Sequence, residues 1–245
     1  MKPIALIYDA DKTLFAEDLP NMLLRQSGIE DIELFWNGVN QQRSSEQCPS
    51  LAYIRCLLEA GCDLSEENLR HIGAEANMYR GLPDFFDRIN TYAAQRSLNA
   101  EHYIVSAGLQ GLIEGSMLAD RLTKVYACQL DHTNWPTTIV NDTMKTGHLA
   151  DIYKGVPHNP SITRNTKGAR YVQYHDMLIF GDGDTDVPML VFGKDKGAHC
   201  FAVYDQYTEK AQRLYEENRV HHIVKADYRE GSELDQLVKQ RIDQL

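Results

Sequence analysis

The feature that most constrains the fold is a short apolar run that ends in two carboxylates. Residues 4–8 (Ile-Ala-Leu-Ile-Tyr) carry no charge, and Asp9, Asp11 and Thr13 follow them at alternate positions. An apolar run of this length is typical of a strand buried on both faces of a parallel sheet. Parallel sheets place their chemistry at the carboxyl ends of their strands. Because like charges repel, we expect a cation beside these acids; the alternative is an acidic turn after a core strand.

A second stretch repeats this design later in the chain. Residues 177–180 are apolar, Gly181 provides a tight turn, and Asp182, Asp184 and Asp186 follow. The apolar run predicts another buried strand that also ends in carboxylates. The two acidic groups are therefore expected at the same edge of one sheet.

Two further features lie between the acidic stretches. Ser106 follows the apolar run at 103–105, and Lys145 precedes Leu149 and Ile152 at helical spacing. That spacing predicts a helix that packs its apolar face on the sheet. The lysine is then expected at the edge of the sheet that carries the acids.

Together these features resemble the four motifs of the haloacid dehalogenase (HAD) superfamily of aspartate-nucleophile phosphohydrolases, and especially its phosphoserine-phosphatase-like branch. Four motifs in the expected order form a specific signal, whereas one would not. The resemblance covers residues 1–15 and about 80–205. The matching residues, in motif order, are Asp9, Asp11 and Thr13, then Ser106, then Lys145, and finally Asp182 and Asp186.

The resemblance implies an α/β fold with a doubly wound parallel sheet, which is a Rossmann-like core. Residues 1–15 and 80–245 are predicted to form this catalytic core. Residues 16–79 show helical patterns and no strand pattern, so they are predicted to form an inserted, all-helical C1-type cap. The aromatic and apolar residues of this segment are predicted to form the cap's own core rather than to contact the substrate.

The resemblance also implies a role for each matched residue. Asp9 would be the nucleophile that forms an aspartyl-phosphate. Asp11 would protonate the leaving group and then activate water. Ser106 would donate a hydrogen bond to a phosphoryl oxygen, although a serine that only satisfies its own turn is the alternative. Lys145 would neutralise Asp9 and the incoming phosphate.

The same resemblance implies a Mg²⁺ site. Asp9 and Asp182 would bind the ion through their carboxylates, and Asp11 would contribute its backbone carbonyl. Asp186 would lie at or just beyond ligand distance. Mg²⁺ prefers a few hard oxygen ligands and keeps some of its waters, which suits so small a set.

Two other lysines compete with Lys145 for the third motif. Lys154 and Lys167 follow it, and Lys167 is nearer to Asp182 in sequence. Residues 155–175 are rich in Gly, Pro, Asn and Thr and predict an irregular loop. Because the preceding helix descends from the catalytic edge, this loop is expected at the opposite edge, which favours Lys145.

The composition of the chain limits its expected cellular location and its expected binding partners. The formal charge of the 245 residues is 25 minus 35, or −10, without a basic block, which makes nucleic acid an improbable partner. The five cysteines are odd in number and lack paired spacing, as expected for reduced thiols in the cytoplasm. No apolar stretch is long enough to span a bilayer, so no membrane association is predicted.

We therefore expect a cytoplasmic, Mg²⁺-dependent phosphatase that hydrolyses a small phosphorylated metabolite. The alternatives are a phosphomutase or phosphotransferase on the same scaffold, or a catalytically idle phosphate-binding regulatory protein. Asp11 favours a phosphatase or phosphomutase, because the family's dehalogenases and transport ATPases lack an acid at that position. An acid at the position of Asp18 contacts the substrate's amino group in phosphoserine phosphatases, so an amine-bearing substrate is one option. The alternative is that Asp18, like the adjacent Glu17, is a solvated charge at the start of a helix.

Overall fold

A seven-stranded sheet lies at the centre of the fold. The computed structural model describes residues 1–42, 48–159, 161–168, 170–206 and 209–245. The strand order is β4-β3-β2-β1-β5-β6-β7, and every neighbouring pair is parallel except β3 with β4. The strands are β1 (Lys2–Tyr8), β2 (Leu98–Leu109), β3 (Lys124–Leu130), β4 (Pro136–Thr138), β5 (Met177–Gly181), β6 (His199–Tyr204) and β7 (His222–Lys225). The predicted α/β fold is confirmed, with an antiparallel strand added at one edge.

The central strand β1 is buried on both faces, as its apolar run predicts. Ile4, Leu6 and Tyr8 belong to the hydrophobic cluster on one face of the sheet, and Ala5 and Ile7 to the cluster on the other. All five side chains are fully buried. Alternate residues of a strand point to opposite faces, so a strand covered by helices on both sides needs apolar residues throughout.

Among the described residues of the predicted cap, four helices follow β1: α1 (Leu19–Gln26), α2 (Ile32–Gln42), α3 (Pro49–Glu59) and α4 (Glu66–Ala74). Gly61 takes a left-handed conformation just beyond α3 (φ 76°), and the Ser65 hydroxyl caps α4 by accepting a hydrogen bond from the Asn68 amide. Residues 43–47 of the predicted cap lie outside the described residues. The division into core and cap stays a prediction.

The inserted helices share a hydrophobic cluster with one face of the sheet. Leu23, Leu57 and Ile72 belong to the same cluster as Phe180 of β5. The apolar residues of the insert therefore pack on this face of the sheet as well as on one another. Sequence periodicity identifies the apolar face of a helix but does not identify the surface that the face packs against.

The remaining helices cover both faces of the sheet. They are α5 (Asp84–Ala94), α6 (Gln110–Gly115), α7 (Asp142–Lys154), α8 (Val187–Asp195), α9 (Glu209–Glu216) and α10 (Glu233–Ile242). Leu149 and Ile152 of α7 are fully buried against the sheet, as predicted. The helix begins before Lys145, because the Asn141 side chain caps it by accepting a hydrogen bond from the Met144 amide at 2.8 Å.

The strand order places the topological switch point of the sheet beside β1. The chain moves outward from β1 through β2 to β4 on one side and occupies β5 to β7 on the other, so the switch point lies at the carboxyl end of β1. The loop after α7 leads to the opposite edge, where Asp176 forms an ion pair with Lys2 at 2.7 Å. The predicted position of this loop is confirmed. Among the described residues, no helix combines the length and apolar character needed to cross a bilayer.

Candidate active site

Asp9 lies at the switch point of the sheet. It follows β1 directly, and its amide donates a hydrogen bond to the Phe180 carbonyl of the neighbouring strand β5 at 2.9 Å. Its side chain is buried. The backbone of two strands therefore fixes the position of this carboxylate before any side-chain contact is made.

Lys145 bridges two buried carboxylates. Its ammonium donates to Asp9 Oδ1 at 2.6 Å and to Asp186 Oδ1 at 2.7 Å, and its side chain is only 1% exposed. Burial, together with the charge of Asp186, raises the pKa of Asp9 to about 6 against the opposing effect of Lys145. Burial disfavours the lysine cation, but Asp186 and Asp9 outweigh that effect and raise the pKa of Lys145. The lysine therefore remains charged between the two acids.

The glycine turn after β5 allows Asp186 to fold back onto the strand end. Asp186 Oδ2 accepts hydrogen bonds from the backbone amides of Asp182 and Gly183, at 3.1 and 3.2 Å. A Cβ atom at Gly181 would lie 2.6 Å from the same oxygen, so only glycine fits at this position. Asp186 thus orients both Lys145 and the loop that carries Asp182.

Three carboxylates at this strand end could hold a metal ion. Asp9, Asp182 and Asp186 each offer an oxygen, and these atoms lie within 4.8 Å of one another. Hard oxygen donors of this kind suit a divalent cation such as Mg²⁺. Both oxygens of Asp186 already have protein partners, which suits a supporting role at the edge of the site. The carboxylate of Asp11 is not part of this group.

The Asp11 side chain is held by the first inserted helix. Asp11 Oδ1 accepts a hydrogen bond from the Leu19 amide at the start of α1, at 2.8 Å. Loss of hydration raises the pKa of Asp11 well above its usual range, despite that hydrogen bond. The next residue, Lys12, has a positive φ of 54°, a left-handed conformation that non-glycine residues rarely adopt and that concentrates at functional sites.

Ser106 lines a cavity at the end of the sheet together with Asp9 and Asp11. Its hydroxyl oxygen accepts a hydrogen bond from the Gly108 amide at 3.0 Å. The serine therefore forms a hydrogen bond within its own turn, which is the alternative given by the sequence. Its hydroxyl can still donate a hydrogen bond to another group. A carbon added at Gly108 would lie 3.3 Å from Ser106 Oγ and 3.8 Å from Asp11 Oδ2, so these groups approach one another closely.

The structure brings Lys145, and neither of its two competitors, to Asp9. Lys154 lies at the end of α7 and donates to the Thr166 carbonyl at 2.5 Å. Lys167 is exposed in the loop that leads to the opposite edge. The spacing of Leu149 and Ile152 was the signal that distinguished Lys145 in the sequence.

Thr13 and Asp18, close to the first motif, make contacts that the sequence did not predict. A threonine after the acids is expected to tie down its loop by hydrogen bonding, yet Thr13 Oγ1 is buried without a hydrogen-bond partner among the described residues. The loop is instead tied by the Thr13 carbonyl, which accepts from the Tyr228 hydroxyl at 2.6 Å. Asp18 pairs with Lys12 at 2.5 Å, so its carboxylate already has a cationic partner.

A cavity of about 540 Å³ lies above these residues. Its floor contains Asp9, Asp11, Ser106, Lys145 and Asp182. Apart from Asp18, the sequence did not identify the residues that the inserted helices and their flanking segments contribute to its wall, because helical spacing shows which residues share a face but not what that face covers. These wall residues are Asp18, Pro20, Trp36, Pro49, Ser50 and Tyr53.

Comparison with known proteins adds one relative of similar length. No protein-family model matches the chain. A protein of Borreliella burgdorferi, described as uncharacterized, is 26% identical, and the match spans 98% of this chain and 96% of that protein. The similarity to that protein therefore extends over nearly the full length of both chains.

Solved structures share the fold at low sequence identity. A HAD family hydrolase from Salmonella enterica serovar Typhi superposes with a TM-score of 0.65 at 15% identity, over 98% of this chain and 72% of that one. A phosphoserine phosphatase solved as a phospho-aspartyl intermediate analogue superposes with a TM-score of 0.60 at 15% identity, over 98% and 99% of the two chains. The chain thus has the fold of HAD hydrolases and resembles the phosphoserine phosphatases.

Proposed function

We propose that this protein is a HAD-superfamily phosphatase that hydrolyses a small phosphomonoester through an aspartyl-phosphate on Asp9, with Mg²⁺ as cofactor. The observation that carries the proposal is the buried arrangement of Asp9, Lys145 and Asp186 at the end of β1, with Asp182 beside it. A nucleophilic carboxylate next to a fixed cation, at the floor of an open cavity, is what phosphoryl transfer requires.

The two acids of the first motif divide the chemistry between them. One oxygen of Asp9 binds Lys145, and the other is placed to attack phosphorus, forming the Asp9–phosphorus bond as the bond to the leaving oxygen breaks. Asp11 gives its proton to that leaving oxygen, and its raised pKa favours the protonated form that this step needs. Asp11 then takes a proton from the water that releases inorganic phosphate and regenerates Asp9.

The remaining groups stabilise charge on the phosphoryl oxygens. The Ser106 hydroxyl and the Lys145 ammonium supply fixed donors. Asp9 and Asp182, with the backbone carbonyl of Asp11, would hold Mg²⁺, which neutralises phosphoryl charge when it is bound.

The choice of phosphatase over dehalogenase rests on Asp11, since a dehalogenase needs no proton donor at that position. The free thiols of all five cysteines suit a reducing compartment, which supports a cytoplasmic location.

Hydrolysis of p-nitrophenyl phosphate tests the proposal. The wild-type protein should release nitrophenol with Mg²⁺, and excess chelator should abolish the activity. Asp9→Asn should also abolish it, because an amide is not a nucleophile, whereas Asp195→Asn, at an exposed aspartate at the end of α8, should match the wild type. Full turnover in excess chelator, or by Asp9→Asn, would contradict the proposal.

A further inference from the structure

Two aromatic side chains of the inserted helices form one wall of the catalytic cavity. Trp36 of α2 and Tyr53 of α3 stack with their ring centroids 5.6 Å apart and their planes at 17°. The Trp36 indole nitrogen donates to Asn21 Oδ1 at 2.8 Å, and the Ser50 hydroxyl donates to the Val140 carbonyl at 2.7 Å. These bonds orient Trp36 and tie α3 to the segment that leads into α7. The aromatic wall is therefore fixed relative to Lys145.

The hydroxyl of Tyr53 is buried without a hydrogen-bond partner among the described residues. The side chain is 5% exposed and lies against the cavity. A buried hydroxyl without a partner destabilises a folded protein unless something else satisfies it. Burial, and then the nearby charge of Asp11, raise the pKa of Tyr53 and keep it a neutral phenol. It can therefore donate a hydrogen bond close to the residue that serves the leaving group.

The charges of the cavity wall disfavour a second anion on the substrate. Its two described cations are both engaged, Lys12 by Asp18 and Lys145 by Asp9 and Asp186. The rim adds the carboxylates of Asp142 and Asp184. A carboxylate on the leaving group would therefore meet like charges, and each described cation of the wall is already paired with an acid.

We infer that Trp36 and Tyr53 form the leaving-group subsite, and that the substrate is the phosphate ester of an uncharged, hydroxyl-bearing alcohol such as a polyol or a sugar. The ring wall packs on the carbon skeleton, and Tyr53 donates its hydrogen to a substrate hydroxyl. Esters whose alcohol carries a carboxylate, phosphoserine included, are poor substrates. This inference rests on the proposed phosphatase activity.

Matched pairs of phosphate esters test the subsite. sn-Glycerol 3-phosphate and glucose 6-phosphate are compared with 3-phosphoglycerate and 6-phosphogluconate, in which a carboxylate replaces an uncharged group, and with phosphoserine. We expect kcat/KM to be at least about ten-fold higher for the esters whose alcohol is uncharged. A ten-fold difference corresponds to one unfavourable contact between like charges. Equal or better turnover of the acids or phosphoserine, or turnover of neither pair, would overturn the inference.

A conservative variant tests the role of the hydroxyl. Tyr53→Phe should lower kcat/KM for the preferred ester by about ten-fold, the effect of one hydrogen bond, and more than it lowers turnover of p-nitrophenyl phosphate. It should unfold at the same or a higher denaturant concentration, because it removes an unpartnered buried hydroxyl. A purely structural role predicts the opposite: lower stability and equal losses on both substrates.

The control is Tyr126→Phe. The Tyr126 hydroxyl is also buried without a described partner, but it lies on β3 outside the cavity wall. This variant should keep wild-type kcat/KM on every ester. Turnover of p-nitrophenyl phosphate that depends on Asp9 is measured first in the same preparation. If this Asp9-dependent turnover is absent, the proposed function is contradicted. If it is present but the carboxylate-bearing esters are preferred, only the proposed subsite is contradicted.

Discussion

Replacement of Lys145 by methionine should damage both catalysis and stability. Methionine fills a similar volume, so the change removes the charge and two hydrogen bonds, those to Asp9 at 2.6 Å and to Asp186 at 2.7 Å. Loss of one fixed electrostatic group of this kind raises the barrier by about 3 kcal/mol, or lowers kcat/KM by more than 100-fold. Removing one partner from a buried ion cluster costs about 3–5 kcal/mol of stability.

The stability loss in Lys145→Met should depend on pH. With Lys145 present, the pKa of Asp9 is about 6, above its ordinary value, and loss of the cation that lowers it moves it higher still. A carboxyl group whose folded-state pKa is raised is destabilising above that pKa and takes up a proton as the pH falls. The difference in unfolding free energy from the wild type should therefore shrink between pH 8 and pH 5.

Urea unfolding in chelator at both pH values, with p-nitrophenyl phosphate kinetics in Mg²⁺, measures these effects. Lys167→Ala is the control, since that lysine is exposed in the loop at the opposite edge and should behave as wild type. A stability difference that widens at low pH would refute the electrostatic reasoning. A large activity loss in Lys167→Ala with little in Lys145→Met would refute the assignment of the third motif.

Four further variants test separate parts of the structure. Asp11→Asn should slow hydrolysis of alkyl phosphates far more than that of p-nitrophenyl phosphate, because poor leaving groups need the proton most; equal losses would argue against an acid role. Burial lowers the pKa of His102 to about 3 from 6.5, so its contribution is present above pH 6.5 and is lost as the pH falls. Between pH 7.5 and pH 5, the unfolding free energy of the wild type should therefore fall by about 2 kcal/mol more than that of His102→Gln. An identical fall in both proteins would count against this burial. Gly73→Ala should destabilise by at least about 1–3 kcal/mol, because its Cβ would lie 2.0 Å from the Leu112 carbonyl oxygen of α6. Gly38→Ala, a helical glycine with open space around it, should instead stabilise, and equal melting temperatures for these two variants would contradict the packing of α4 on α6.

The sequence predicted those features that depend on local patterns. Apolar runs located the strands that carry Asp9 and Asp182, because a strand buried on both faces needs apolar residues at every position. The spacing of Lys145 with Leu149 placed the lysine correctly, since one helix face must pack on the sheet.

Features that depend on distant partners could not be predicted. Strand β2 extends beyond its apolar run to include Glu101, which is buried because the Tyr171 hydroxyl donates to it at 2.5 Å and His158 contacts it at 3.0 Å. Neither of these two partners is near it in sequence, although Asn99 and Tyr103 also donate hydrogen bonds to it. The aromatic wall at Trp36 and Tyr53 escaped prediction for the same reason, because its position depends on how the inserted helices pack on the sheet.

The most direct test of the account is to trap the covalent intermediate on Asp9. The protein is mixed with p-nitrophenyl phosphate and Mg²⁺ and quenched with borohydride, which reduces an acyl phosphate to an alcohol and so converts the aspartate to homoserine. Peptide mass spectrometry should then find homoserine at position 9 in the wild-type protein and none in Asp9→Asn. Turnover without homoserine at position 9, or with the modification at another residue, would contradict the account.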